Sequence, residues 1–138
     1  MGRIIALDYG KKRTGIAATD PLKIIANGLL TVETEKLFEF LKDYAGKESI
    51  EKIIIGNPTN LDGSPTDATA SVQHCIRRLK NMFPAIPIIP VDERYSSKMA
   101  SRAMVEMGMK KKDRREKSNI DVIAATMMLQ DYLANNIL

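Results

Sequence analysis

Three short apolar runs near the N-terminus, followed by alternating helical and strand patterns, predict an α/β domain. The architecture is a mixed sheet with helices on its faces. Two segments fix that reading. Ile50 to Gly56 (Ile-Glu-Lys-Ile-Ile-Ile-Gly) is near-continuously apolar, as a central parallel strand is. The last helical pattern is apolar over most of its middle, as a buried helix is.

Taken in order, residues 3–8 and 15–19 read as strands joined by a Gly-containing turn that carries Lys11, Lys12 and Arg13. Gly28 to Val32 continues the meander. Thr34 is placed to cap a helix running to about Ala45, with Leu37, Phe38, Leu41, Tyr44 and Ala45 on one face. After the Ile50–Gly56 strand comes a polar loop, Asn57 to Gly63. Ser64-Pro65 then looks like a helix start, with Val72, Ile76, Leu79 and Phe83 as its apolar stripe. Ile86 to Val91 is a further strand, and its prolines, Pro87 and Pro90, assign it to an edge. A helix from Met99 to Met107 ends at Gly108, and the last helix spans about Asn119 to Asn135. No repeat or linker divides the chain, so residues 1–138 are expected to form a single domain.

Composition narrows the chemistry. One cysteine, Cys75, rules out an intramolecular disulfide and fits a reducing, cytoplasmic setting. With one histidine, His74, besides, thiolate and imidazole metal sites are poor fits. Any metal held here would be a hard, oxygen-liganded cation, Mg²⁺ or Mn²⁺. No apolar stretch approaches the ~20 residues of a membrane span, and Asp8 with the basic cluster after it interrupts any signal-peptide core.

The net charge of +4 is concentrated, since residues 110–117 (Lys-Lys-Lys-Asp-Arg-Arg-Glu-Lys) carry all of it. Lys110, Lys111, Lys112, Arg114, Arg115 and Lys117 form an electrostatic footprint for a polyanion. The same run would equally serve as a solvated loop.

Three acids stand at the ends of elements. Asp8 closes the first strand, Glu93 (with Asp92) closes the last, and Asp121 opens the buried final helix. Parallel strands present their C-terminal ends at one edge of an α/β sheet, where sites gather. Three carboxylates meeting there would need cations between them to stay ionised. Two divalent ions would meet that need and would clamp both oxygens of a phosphodiester in hydrolysis. Each acid has a plainer reading as well. Asp8 could cap its turn, Asp92 and Glu93 could cap the next helix, and Ser118-Asn119-Ile120-Asp121 could be a capping box.

Four segments together resemble the YqgF-type, Holliday-junction-resolvase-like family, also described as pre-16S rRNA nucleases. They are Asp8-Tyr9-Gly10 with Arg13 and Gly15; Gly56-Asn57-Pro58 with Gly63; Asp92-Glu93-Arg94-Tyr95-Ser96-Ser97; and Lys117, Asp121, Ala124, Ala125 with Leu129-Gln130. The resemblance implies an RNase H-like fold: a five-stranded mixed sheet in the order 3-2-1-4-5, with strand 2 antiparallel. It implies Asp8, Glu93 and Asp121 as catalytic, metal-binding acids, and trimming of the 5′ end of pre-16S rRNA as the role. Branched DNA is the implied second substrate.

Lys11, Lys12, Arg13 and Arg94 are then placed to hold the nucleic-acid backbone, with the 110–117 run supplying salt-dependent affinity. With aromatic residues at 5% and no Trp, base stacking is a poor source of recognition. Both a monomer and a homodimer fit this reading. A non-catalytic assembly factor is the competing class. An actin-like ATPase, which shares an Asp-x-Gly hairpin, needs considerably more chain.

Overall fold

The computed structural model describes residues 2–57, 69–92 and 117–136. Five strands form one sheet: β1 (Arg3–Tyr9), β2 (Arg13–Thr19), β3 (Ala26–Glu33), β4 (Ile50–Asn57) and β5 (Ile88–Asp92). Their order is β3-β2-β1-β4-β5. β2 runs antiparallel to both β1 and β3, while β1, β4 and β5 are parallel. This is the strand order that the resemblance implies, with the proline-bearing β5 at the edge its prolines assigned to it. The described helices are α1 (Leu37–Lys47), α2 (Thr69–Met82) and α3 (Lys117–Asn136), and a 3-10 turn (Thr34–Lys36) leads into α1.

Side chains alternate across β1 and sort into two cores. Ile5 and Leu7 join Ile16, Ile53 and Ile55 under α1 and α2. Ile4 and Ala6 join Ala17, Ile54, Ala125 and Leu129 under α3. The central strands are buried on both sides, which is why the isoleucines of β4 run almost without a break. Val72, Ile76 and Leu79 of α2 are buried as the stripe requires, and Cys75 lies beside them.

Three local expectations need correction. Thr34 does not cap α1: its buried hydroxyl donates to the Gly10 carbonyl at 2.5 Å and lies 3.0 Å from the Thr14 hydroxyl. Its amide donates to the Lys12 carbonyl at 2.9 Å. A threonine that could serve the helix instead braces the β1–β2 turn from behind. Arg13 is no turn residue but opens β2, opposite Glu33 of β3. Finally, α3 already includes Lys117, so Ser118 lies inside the helix and Asp121 sits a turn into it. The capping box therefore does not explain that acid.

The expected helix start at Ser64-Pro65, most of the Asn57–Gly63 loop and the Met99–Met107 helix lie outside the described residues.

Candidate active site

β1, β4 and β5 end at the same rim of the sheet, because they are parallel and register Leu7 with Ile55 and Asn57 with Asp92. Asp8 stands at this rim, one residue before the strand ends. Alternation places it with Ile4 and Ala6, on the α3 side. Tyr9 points the other way into the α1/α2 core. Burial raises its phenol pKa, Cys75 adds to the rise, and Arg78 opposes it.

Asp121 reaches the same place from α3. The cross-strand partner of Asp8 is Gly15. A side chain on Gly15 would overlap the Asp121 carbonyl group and stand 2.8 Å from the Val122 amide nitrogen. Two residues of β2 and β3 thus have to be small. At Gly28 an added carbon would lie 2.6 Å from Val122 Cγ1 and 3.0 Å from Thr126 Oγ1. These glycines let the α3 backbone lie directly on the sheet, which sets Asp121 over the strand pair that carries Asp8.

Beside Asp121 stand Lys11 and Lys12 of the β1–β2 turn and Arg13, which opens β2. Lys11 and Lys12 are exposed and Arg13 is half-buried. Gly10, Lys11, Lys12, Arg13 and Asp121 line a cleft of about 370 Å³. Arg13 Nε lies 3.6 Å from Asp121 Oδ2, an ion pair too long for a hydrogen bond. That nitrogen is buried and has no hydrogen-bond partner.

Of the acids expected from the sequence, Asp8 and Asp121 are brought to one rim. Glu93 lies outside the described residues, as do Arg94, Lys110, Lys111, Lys112, Arg114 and Arg115. Lys117 begins α3. Among the described residues no three acids, cysteines or histidines cluster as a metal site. The donor set present is still chemically coherent, since two carboxylates on one face are hard oxygen ligands suited to Mg²⁺ or Mn²⁺. Sequence reasoning missed the brace from Thr34 and the close approach at Gly28. The one available signal for them was a threonine or glycine inside an otherwise apolar strand or helix boundary.

Residues 2–135 match the family described as RuvX, Holliday junction resolvase. The chain belongs to that family. It is 49% identical to a Flavobacterium psychrophilum protein named "Putative pre-16S rRNA nuclease", over 99% of this chain and 100% of that one. A Flavobacterium johnsoniae protein of the same name is 47% identical, over 98% of each chain. Among solved structures, YeaZ from Pseudomonas aeruginosa is similar with a TM-score of 0.47 and 18% identity, over 78% of this chain and 50% of that one. No described helix is long and apolar enough to cross a membrane.

Proposed function

We propose that this chain is a metal-dependent nuclease that hydrolyses phosphodiester bonds in 5′-end maturation of pre-16S rRNA, acting in the cytoplasm as one RNase H-like domain over residues 1–138. The observation that carries the reading is the close approach of the Asp121 backbone to Gly15, the cross-strand partner of Asp8, beside a cleft that Asp121 lines with Lys11, Lys12 and Arg13. Acids beside cations are what a phosphodiester and its counter-ions require together. The names of the relatives supply the substrate class.

Asp8 and Asp121 would hold Mg²⁺ or Mn²⁺, with Glu93 as the third acid. Glu93 enters this reading through the resemblance in its Asp92-Glu93-Arg94 segment. Two such ions, when bound, would supply Lewis acidity toward a water nucleophile and would compensate charge on the departing oxygen. The protein's own part is to fix both carboxylates on rigid elements and to hold the backbone. Lys11 and Lys12 attract the phosphates, and the 110–117 run adds affinity that weakens with salt.

The deciding experiment offers precursor 16S rRNA and a four-way DNA junction side by side, with and without Mn²⁺. Metal-dependent cleavage of the RNA is the expected result. Preferential cleavage of the junction, which the family's description favours, would move the substrate to branched DNA. Binding without cleavage under any divalent ion would make the chain an assembly factor instead.

A further inference from the structure

The Arg13–Asp121 pair is poorly made. At 3.6 Å the guanidinium Nε attracts Asp121 Oδ2 without donating to it, and the same buried nitrogen donates to nothing else. An arginine whose purpose was to orient this carboxylate would sit at hydrogen-bond distance, usually with two parallel bonds. The side chain is also not fully enclosed: 38% of it remains accessible, against 16% for Asp121. It borders the cleft that Lys11 and Lys12 share.

We infer that Arg13 is a cation-released latch, pairing with Asp121 until a divalent ion takes that carboxylate and then turning to a phosphate in the cleft. This inference rests on the metal-dependent reading above and names how ion and nucleic acid are coupled within it. A divalent ion on Asp121 and a guanidinium a few ångströms from the same oxygen repel each other, so each weakens the other's hold. The planar guanidinium fork suits a phosphate, and swinging outward would satisfy the donor that is orphaned in the latched state. Binding of the ion therefore prepares the cleft for phosphate, and by linkage phosphate prepares the acids for the ion. Lys11 and Lys12 are exposed and pair with no acid among the described residues, so they attract nucleic acid in both states.

The test uses the full chain and Ca²⁺, a hard ion of the right ligand preference. Calorimetry gives its affinity without RNA, and a precursor 16S rRNA fragment is then bound with and without the ion. Arg13→Gln removes the competing charge, so Ca²⁺ should bind about two- to fivefold tighter, as loss of a partly exposed pair allows. In the wild type the ion should strengthen RNA binding, and in Arg13→Gln that strengthening should vanish. Arg13→Lys keeps the charge without the fork. Its ion affinity should stay with the wild type while the coupling shrinks.

An Arg13→Gln protein that binds Ca²⁺ more weakly or equally would make Arg13 a simple support for Asp121 and overturn the latch. So would unchanged coupling in that variant. A wild-type chain that binds no divalent ion would sink the metal reading itself, and the latch with it.

Discussion

The two faces of the sheet are built from different residues. Under α1 and α2 the packing is bulky, with Ile5, Leu7, Ile16, Leu41, Ile53 and Ile55 all fully buried. Under α3 the strands offer Ala6, Ala17, Gly15 and Gly28, and the helix answers with Ala124 and Ala125. Large side chains hold elements apart and fill the space, which gives stability. Small ones let a helix backbone touch the sheet, which gives position. The α1/α2 face serves the first purpose; the α3 face adds the second, with small residues such as Gly15 and Gly28 beside the equally buried Ile4, Ile54 and Leu129. The acids Asp8 and Asp121 both belong to the second.

That division can be broken from either side. The largest expected effect is Asp8→Asn, which removes a ligand charge without changing shape. Cleavage of precursor RNA should fall by about a thousandfold or more, as for loss of a group that supports transition-state charge, with the urea midpoint almost unmoved. A variant that cleaves like its parent would detach Asp8 from the chemistry.

On the opposite face, Leu7→Ala should destabilise the fold by about 2–5 kcal/mol, the usual range for a buried leucine. Cleavage per folded molecule should be retained, since Leu7 packs in the α1/α2 core, on the side of the sheet away from α3. Urea unfolding alongside activity separates the two quantities. Activity lost in proportion to that of Asp8→Asn would show that the faces are not separable.

Gly15→Ala joins both effects in one residue. The added carbon meets backbone at Asp121 and Val122, which cannot step aside as a side chain can. A cost of about 1–3 kcal/mol is expected from overpacking, together with loss of cleavage as α3 is pushed from the rim. Gly28→Ala meets only the side chains of Val122 and Thr126 and should cost less on both counts. Equal effects at the two positions would contradict the close backbone approach at Gly15.

The smallest effect is a pH dependence on the bulky face. Burial pushes the Cys75 thiol up to about 12 from its ordinary 9.0, with Arg78 pulling slightly against it. The unfolded thiol loses its proton from about pH 9.0, whereas the folded one keeps it until about 12. Above the lower value the unfolded state is favoured, so stability falls as pH rises through that window. The phenols of Tyr9 and Tyr44, also raised by burial, act in the same direction. Cys75→Ala should flatten part of the decline in urea midpoint, and a decline of the same slope would remove Cys75 from the account.

Much of this division could be read in the chain itself. The Ile53-Ile54-Ile55 run announced a strand covered on both sides, and Asp8 and Asp121 stood out as acids among apolar neighbours. What could not be read depends on how far α3 descends onto the sheet. Arg13 looked like one of three equivalent turn cations, yet the helix approach permitted by Gly15 sets it against Asp121. Thr34 was misread for a related reason. A hydroxyl before a helix has the chemistry of a cap, and only the return of β1 and β2 beside it offers Gly10 and Thr14 as partners. Ser118 misled in the same way, because local patterns do not say in which turn a helix begins.

A titration of Mn²⁺ followed by amide NMR tests the joint grip of the two acids most directly. Paramagnetic broadening should appear together at Asp8, Gly15 and Asp121 at low ion concentration and disappear in Asp8→Asn. Broadening confined to one of the three, or persisting unchanged in that variant, would contradict a shared ion at this rim.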